Sequence, residues 1–345
     1  MPKTQAVTRP VSSPRAGITR PLVQPLVQRV AQTRYRGGSD ALLPILMYHR
    51  VTPEVDPMQP AVPTAAMLDA QFKALSEVFH VLPLEEAVER LYSGTLPPRS
   101  AVITFDDGYR DNYTIALPLL QRHRLTATVF VASGFLDGGR MFNDTVIEAV
   151  RRLPMGDIDL AWLGLGHSRV SDMASRHALA MQLASRIKYL EPLQRDQACE
   201  RLVALADSPL PLDLMMNSEH VRELARHGVS IGGHTRNHPI LSKVSCEEAL
   251  REIRTDRDRL TDLLGTPPLC FAYPNGKPTL DYGLIHADAV RDIGYVAAVS
   301  TAVGVATLDA HRYQMPRFVP RERHGLSFVA RMLRMAAHTQ VAQAT

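Results

Sequence analysis

The chain has little cysteine. Cys199, Cys246 and Cys270 are odd in number and far apart. Such a set supports neither a disulfide framework nor a zinc knuckle, and reads as free thiols of a cytosolic enzyme. No window approaches the ~20 apolar residues of a membrane span. The N-terminal stretch lacks the apolar core of a signal peptide. A cytoplasmic location is therefore expected, with peripheral association to the inner membrane through a basic tail as the variant. There is no internal repeat. Glycine pairs such as Gly138-Gly139 are turn signals, because no Gly-Lys-Ser/Thr follows to make a phosphate loop. Acidic residues are missing from the first 38 positions, which hold seven Lys or Arg; beyond them 32 basic residues face 35 acidic ones, about −3. The positive balance thus belongs to a tail and does not describe a nucleic-acid-binding face.

What remains is an ordinary globular composition, 45% hydrophobic and 21% charged over 345 residues, enough for one large domain. Residues 1–40 are rich in Pro, Gln, Ser and Arg, and a mostly disordered basic tail is expected. From residue 41 short apolar runs alternate with helical patterns. The runs predict strands at Ala41–Tyr48, Val81-Leu82, Ala101–Phe105, Ala127–Val131, Val229–Gly232, Leu269–Ala272, Val296–Val299 and Tyr313–Val319. Helices are predicted over Ala65–Val78, capped by Thr64, over Leu84–Ser93 and from Asp111 or Asn112 to about Arg124, with Pro118 inside it. Further helices are expected from Ser218, over Cys246–Leu264 and over about Leu326–Ala337. The stretch between residues 135 and 217 shows three helical patterns and no convincing parallel strand. A distorted (β/α) barrel of seven or eight strands over residues 41–337, with a helical insertion at about 136–217, is the expected fold.

Chemistry gathers where the predicted strands end. The run from Ala101 to Phe105 stops at Asp106-Asp107-Gly108. Adjacent carboxylates repel unless a cation or a proton takes up the charge. A second strand runs directly into Gly232-Gly233-His234-Thr235-Arg236-Asn237-His238. Two imidazoles four apart share a face if the chain turns helically there. With one carboxylate they make a three-ligand site with open positions, suited to zinc first and to cobalt, nickel or iron. Such an ion lowers the pKa of its water from ~15.7 towards ~7. If Asp107 is the ligand, Asp106 remains as general base for that water. Helix capping is the structural alternative for Asp106. Tyr48, Tyr109 and Tyr273 are candidates for stacking on sugar rings or for core packing. Met141–Asp144 could fold over the site, with Asn143 and Asp144 on substrate hydroxyls or Asp144 as a helix cap.

These residues carry a resemblance. Thr104–Tyr109 and His234–His238 resemble the first two motifs of the polysaccharide deacetylase family (carbohydrate esterase family 4, the NodB homology domain). Leu46–Val51 and Phe271–Gly276 resemble further stretches of its bacterial members, so the likeness spans roughly Leu43–Pro320. It implies removal of N-acetyl groups from an amino-sugar polysaccharide, oligosaccharide or glycolipid. It also implies Asp107, His234 and His238 as ligands of a divalent metal and Asp106 as base. Many members carry an Arg in the third motif; here Ala272-Tyr273-Pro274-Asn275 stands there, and Arg317 on the last strand is the expected substitute. The Asn275 N–H is left to serve the oxyanion, with Tyr273 and Tyr109 beside the substrate. No His follows the late strand, which makes His49 the candidate general acid. An amidohydrolase for a small cyclic amide or ureide, and a silent carbohydrate-binding protein, are the rival expectations.

Overall fold

The computed structural model describes residues 23–345. For residues 1–22 the expected disorder lies outside the described residues. The rest of the expected tail is folded. Helix α1 (Val23–Arg34) packs Ala31 and Tyr35 into the main core, and the Tyr35 hydroxyl donates to the Met332 carbonyl. One apolar side chain per turn, at Val27, Ala31 and Tyr35, is enough to dock it; the intervening Gln and Arg residues conceal that stripe.

The chain then builds β1 (Ile45–Tyr48), α2 (Ala65–Val78), β2 (His80–Val81), α3 (Leu84–Tyr92), β3 (Ser100–Phe105), α4 (Leu117–His123) and β4 (Thr128–Val131). Thr64 caps α2 by accepting the Met67 N–H at 3.2 Å. The helix before β4 is not uniform. Residues Asn112–Ala116 form a π turn that runs straight into α4, with the Leu117 N–H donating to the Asn112 carbonyl, and Pro118 follows directly after that turn. After β4 come α5 (Phe142–Arg151), β5 (Gly156–Asp159), β6 (His167–Val170), α6 (Met173–Ile187) and α7 (Pro192–Ala204). The antiparallel β5–β6 hairpin was not expected; its strands are short and mostly polar. These elements enclose their own apolar cluster, with Val146, Leu160, Leu183 and Leu202, joined from outside by Met58 of the β1–α2 loop. Arg151 grips Asp56 of that loop with two hydrogen bonds, 3.0 and 2.6 Å.

The alternation resumes with α8 (Ser218–Arg226), β7 (Ser230–Gly233), α9 (Cys246–Leu264), β8 (Cys270–Ala272), α10 (Leu284–Ile293), β9 (Ala297–Val303), β10 (Met315–Arg317) and α11 (Gly325–Met335). The parallel strands run in the order β1-β3-β4-β7-β8-β9-β10, with β2 beside the start of β3. The sheet curls until its last strand meets its first: Met47 N–H donates to the Phe318 carbonyl at 3.0 Å, and Phe318 N–H to Ile45 at 3.1 Å. This is the expected distorted (β/α) barrel. No helix among the described residues is long and apolar enough to cross a membrane.

Candidate active site

All parallel strands point the same way, so the residues just beyond them converge on one rim. Asp107 leaves β3 in the left-handed region, φ 78°, followed by Gly108 at φ 86°. That double turn swings the Asp107 side chain over the barrel mouth. A Cβ on Gly108 would also meet Val131 Cγ1 at 3.2 Å. The His segment is not the helical turn expected from its i,i+4 spacing. It is a loop in which Thr235 (φ 63°) and His238 (φ 53°) are both left-handed. Asn275 shares that conformation at φ 59°. Each such residue costs about 1–3 kcal/mol, and such strain collects where the fold holds a site in place.

The loop brings the two imidazoles within 4.8 Å of each other, ring centre to ring centre. Asp107 Oδ1 lies 3.2 Å from His234 Nε2 and 3.4 Å from His238 Nε2. His234 Nδ1 is 2.7 Å from the Ala272 carbonyl, so that nitrogen carries a proton and Nε2 faces inward toward Asp107. Burial pushes His238 down to about 3, which keeps it neutral at physiological pH. Burial would raise the Asp107 carboxyl, but its hydrogen bond with His234 and the nearby histidines hold it well below the usual range. Burial would lower the His234 imidazole, but its contact with Asp107 and the charge of Asp106 raise it. One carboxylate oxygen and two imidazole nitrogens, mutually within 4.8 Å, fit a borderline divalent cation such as zinc.

Asp106 faces the other way. Its carboxylate accepts Arg317 Nη1 and Nη2, both at 2.7 Å. Arg317 is fully buried and also donates to the Ser300 carbonyl and Thr104 Oγ1. Burial alone would raise Asp106; Arg317, with His49, brings it below its ordinary value. Asp106 is therefore an ionised carboxylate beside the Asp107–His234–His238 cluster. His49 sits at the rim, half exposed, with Nε2 3.8 Å from Asp106 Oδ2. A cleft of about 500 Å³ holds His49, Asp106, Asp107, His234, His238 and Asn275 together. The Asn275 N–H makes no hydrogen bond among the described residues, and its carbonyl accepts the Thr301 hydroxyl.

Three tyrosines take the core-packing alternative. Tyr48, Tyr109 and Tyr273 are all at most 2% exposed, so none offers a ring to a sugar. Tyr48 bonds Gln71, and Tyr273 stacks on Tyr282 and donates to the Tyr313 carbonyl. Tyr109 donates to Asp144 at 3.0 Å beneath an Arg50 guanidinium 4.8 Å from its ring. Asp144 is neither a cap nor a substrate contact: Met141 precedes α5, and the carboxyl is buried in this network, pushed up to about 7 by burial. Asp111 likewise caps nothing and binds Arg50 Nε and the Val51 N–H. Asn143 does reach the cleft.

Two residues of the site come from the helix expected over Cys246–Leu264, where no motif marks them. Glu252 and Asp256 lie one turn apart on α9, both buried. Asp256 accepts the His234 N–H at 2.9 Å and the Ser133 N–H at 3.0 Å. Glu252 accepts the Asn237 N–H and side-chain amide, both at 2.7 Å. Gly233 makes room: a Cβ there would lie 3.1 Å from Asp256 Oδ2 and 2.1 Å from the Tyr295 hydroxyl. The pair clamps both ends of the His loop. Asp256→Asn is expected to lower metal affinity on the order of tenfold or more, measured by competition with a chromogenic chelator, with little change in folded content by circular dichroism.

The geometry places a three-donor cluster that could hold a cation, with a carboxylate paired to Arg317 beside it, at the mouth of a (β/α) barrel. A family model for polysaccharide deacetylases matches residues 93–193 and 205–298, more than half of the chain, and the chain belongs to that family. The matched stretches contain Asp106, Asp107, His234, His238 and Asn275; His49 and Arg317 lie outside them. YxkH of Bacillus subtilis (strain 168), which bears the polysaccharide deacetylase name, is 23% identical over 279 residues, 80% of this chain and 71% of that protein. The Streptococcus pyogenes deacetylase PplD in complex with acetate superposes with a TM-score of 0.58 at 19% identity, over 86% of this chain and 99% of that one. IcaB from Ammonifex degensii gives 0.55 at 17%, over 87% and 98%. At these identities the structural likeness is one of fold.

Proposed function

We propose that this chain is a metal-dependent hydrolase that removes N-acetyl groups from an amino-sugar glycan, as a polysaccharide, oligosaccharide or glycolipid. The observation that carries the reading is the division of labour between adjacent carboxylates: Asp107 faces two imidazole nitrogens, and Asp106 faces Arg317. A divalent cation held by Asp107, His234 and His238 would supply Lewis acidity to the acetyl carbonyl and to water. Asp106, kept ionised by Arg317, takes the proton of the attacking water. The Asn275 N–H is free to donate to the carbonyl oxygen as its charge grows. His49, exposed at the rim near Asp106, passes a proton to the leaving amine.

The cleft is open at the surface, which suits a glycan better than a small cyclic amide. Arg317 on Asp106 speaks for a working base and against a silent binding protein. The test is acetate release from chito-oligosaccharides before and after chelation. Chelation is expected to cut the rate at least about a hundredfold, with recovery on adding zinc. Full activity in the presence of chelator would overturn the metal role.

A further inference from the structure

The charges lining the catalytic cleft do not balance. Its acidic residues are Asp106 and Asp107, and both are engaged, one by Arg317 and one by the histidines. Facing them are Lys188, at the C-terminal end of α6, and Lys277, in the loop after β8. Neither ammonium forms an ion pair among the described residues. The acid nearest to Lys277 along the chain, Asp281, is fully buried and accepts the Lys277 backbone N–H at 2.9 Å.

Lysine is rare here: five of the 39 basic residues, and two of those five line this cleft. The partial negative charge of a helix C-terminus accounts for a cation at Lys188, but it does not account for Lys277. Beside Lys188 stands Tyr189, 43% exposed and lining the same cleft. Its ring centre is 5.3 Å from the Lys188 ammonium. The Lys188 ammonium thus lies over one face of a ring that, unlike the three buried tyrosines, is exposed to the cleft. An adjoining cleft that shares His238 and Phe142 has the opposite balance, with Arg140 and Arg195 against Asp196, Glu200, Glu248 and Glu252, so the excess of unpaired cations belongs to the catalytic cleft.

We infer that the catalytic cleft is built for an N-acetylated sugar bearing an anionic group, a carboxylate or phosphate on the reacting residue or its neighbour. Lys188 and Lys277 contact the anion and Tyr189 stacks on the ring. This deepens the deacetylase reading and rests on it. Unpaired cations from two elements select anions by complementarity, and a compact ammonium on a flexible stem accommodates either anion.

The test pairs anionic and neutral probes of equal length: N-acetylglucosamine 1-phosphate with N-acetylglucosamine, and a hyaluronan tetrasaccharide with chitotetraose. One anionic probe is expected to show the higher kcat/KM at low salt, and added salt should erase the advantage. Which probe wins separates phosphate from carboxylate. Lys188→Ala and Lys277→Ala are each expected to raise KM for that probe about two- to fivefold, with kcat held and the neutral probe unaffected. Equal KM for both members of each pair, or lysine variants without effect, would overturn the inference. Binding of the same probes to the Asp106→Asn chain, followed calorimetrically, separates the two readings. Anion-selective binding without acetate release from any probe by the unmodified enzyme sinks the deacetylase and keeps the anion site. Acetate release without anion preference does the reverse.

Discussion

Asp106→Asn is expected to lower acetate release by about 10²- to 10⁴-fold while the chain still takes up one equivalent of metal. The substitution keeps shape and removes the proton acceptor. It leaves Asp107, His234 and His238 untouched, so metal content by elemental analysis should match the unmodified protein. It also places an amide against the fully buried Arg317. Removing one partner of a buried pair costs about 3–5 kcal/mol, so a lower melting temperature should accompany the lost rate. Retained turnover, or loss of metal, would reassign the two carboxylates.

Arg317→Met is the second large effect, and its signature is the pH dependence. In the unmodified protein Arg317 outweighs burial and depresses the Asp106 carboxyl. A group depressed on folding contributes stability that is present above its unfolded value, ~3.9, and is lost as pH falls through the folded value. Without the guanidinium only burial and weaker neighbours act, and the carboxyl rises. A raised carboxyl reverses the sign, and stability then falls as pH climbs from ~4 through the new folded value. Denaturant melts at several pH values should show this reversal. The acid limb of kcat/KM should move to higher pH, because the base stays protonated longer. An unmoved limb would mean that Arg317 does not tune Asp106.

Much of this architecture was legible because burial on both faces writes parallel strands as short apolar runs. Ser100–Phe105 and Thr128–Val131 are such runs, and α2 and α9 fall within the bounds read from periodicity and caps. The elements that escaped carry weak local signals. The β5–β6 hairpin is built from Gly-Asp-Ile-Asp and His-Ser-Arg-Val, which alternate too little to read as strands. Helix α10 places a buried His286 beside Ala287 and Val290, a narrow apolar stripe. At the site, the metal-type donors stood out because two Asp and two His at strand ends are locally improbable. Glu252 and Asp256 did not, because a charged helix position looks the same whether it meets water or a backbone N–H from a distant loop. Only tertiary contact separates the two cases. Stacking and core packing stayed open for the tyrosines for the same reason: a tyrosine beside a motif can point inward, and Tyr109 and Tyr273 do.

The excursion between β4 and β7 has its own interior, to which, among the described residues, the barrel lends only Met58. Its helix α6 nonetheless supplies one wall of the catalytic cleft through Met181, Lys188 and Tyr189. The bond-breaking groups and that one wall are thereby anchored in separate apolar interiors. Substitutions that reshape the latter need not disturb the former, so selectivity in this chain is free to drift, or to be engineered, without retuning the reactive carboxylates.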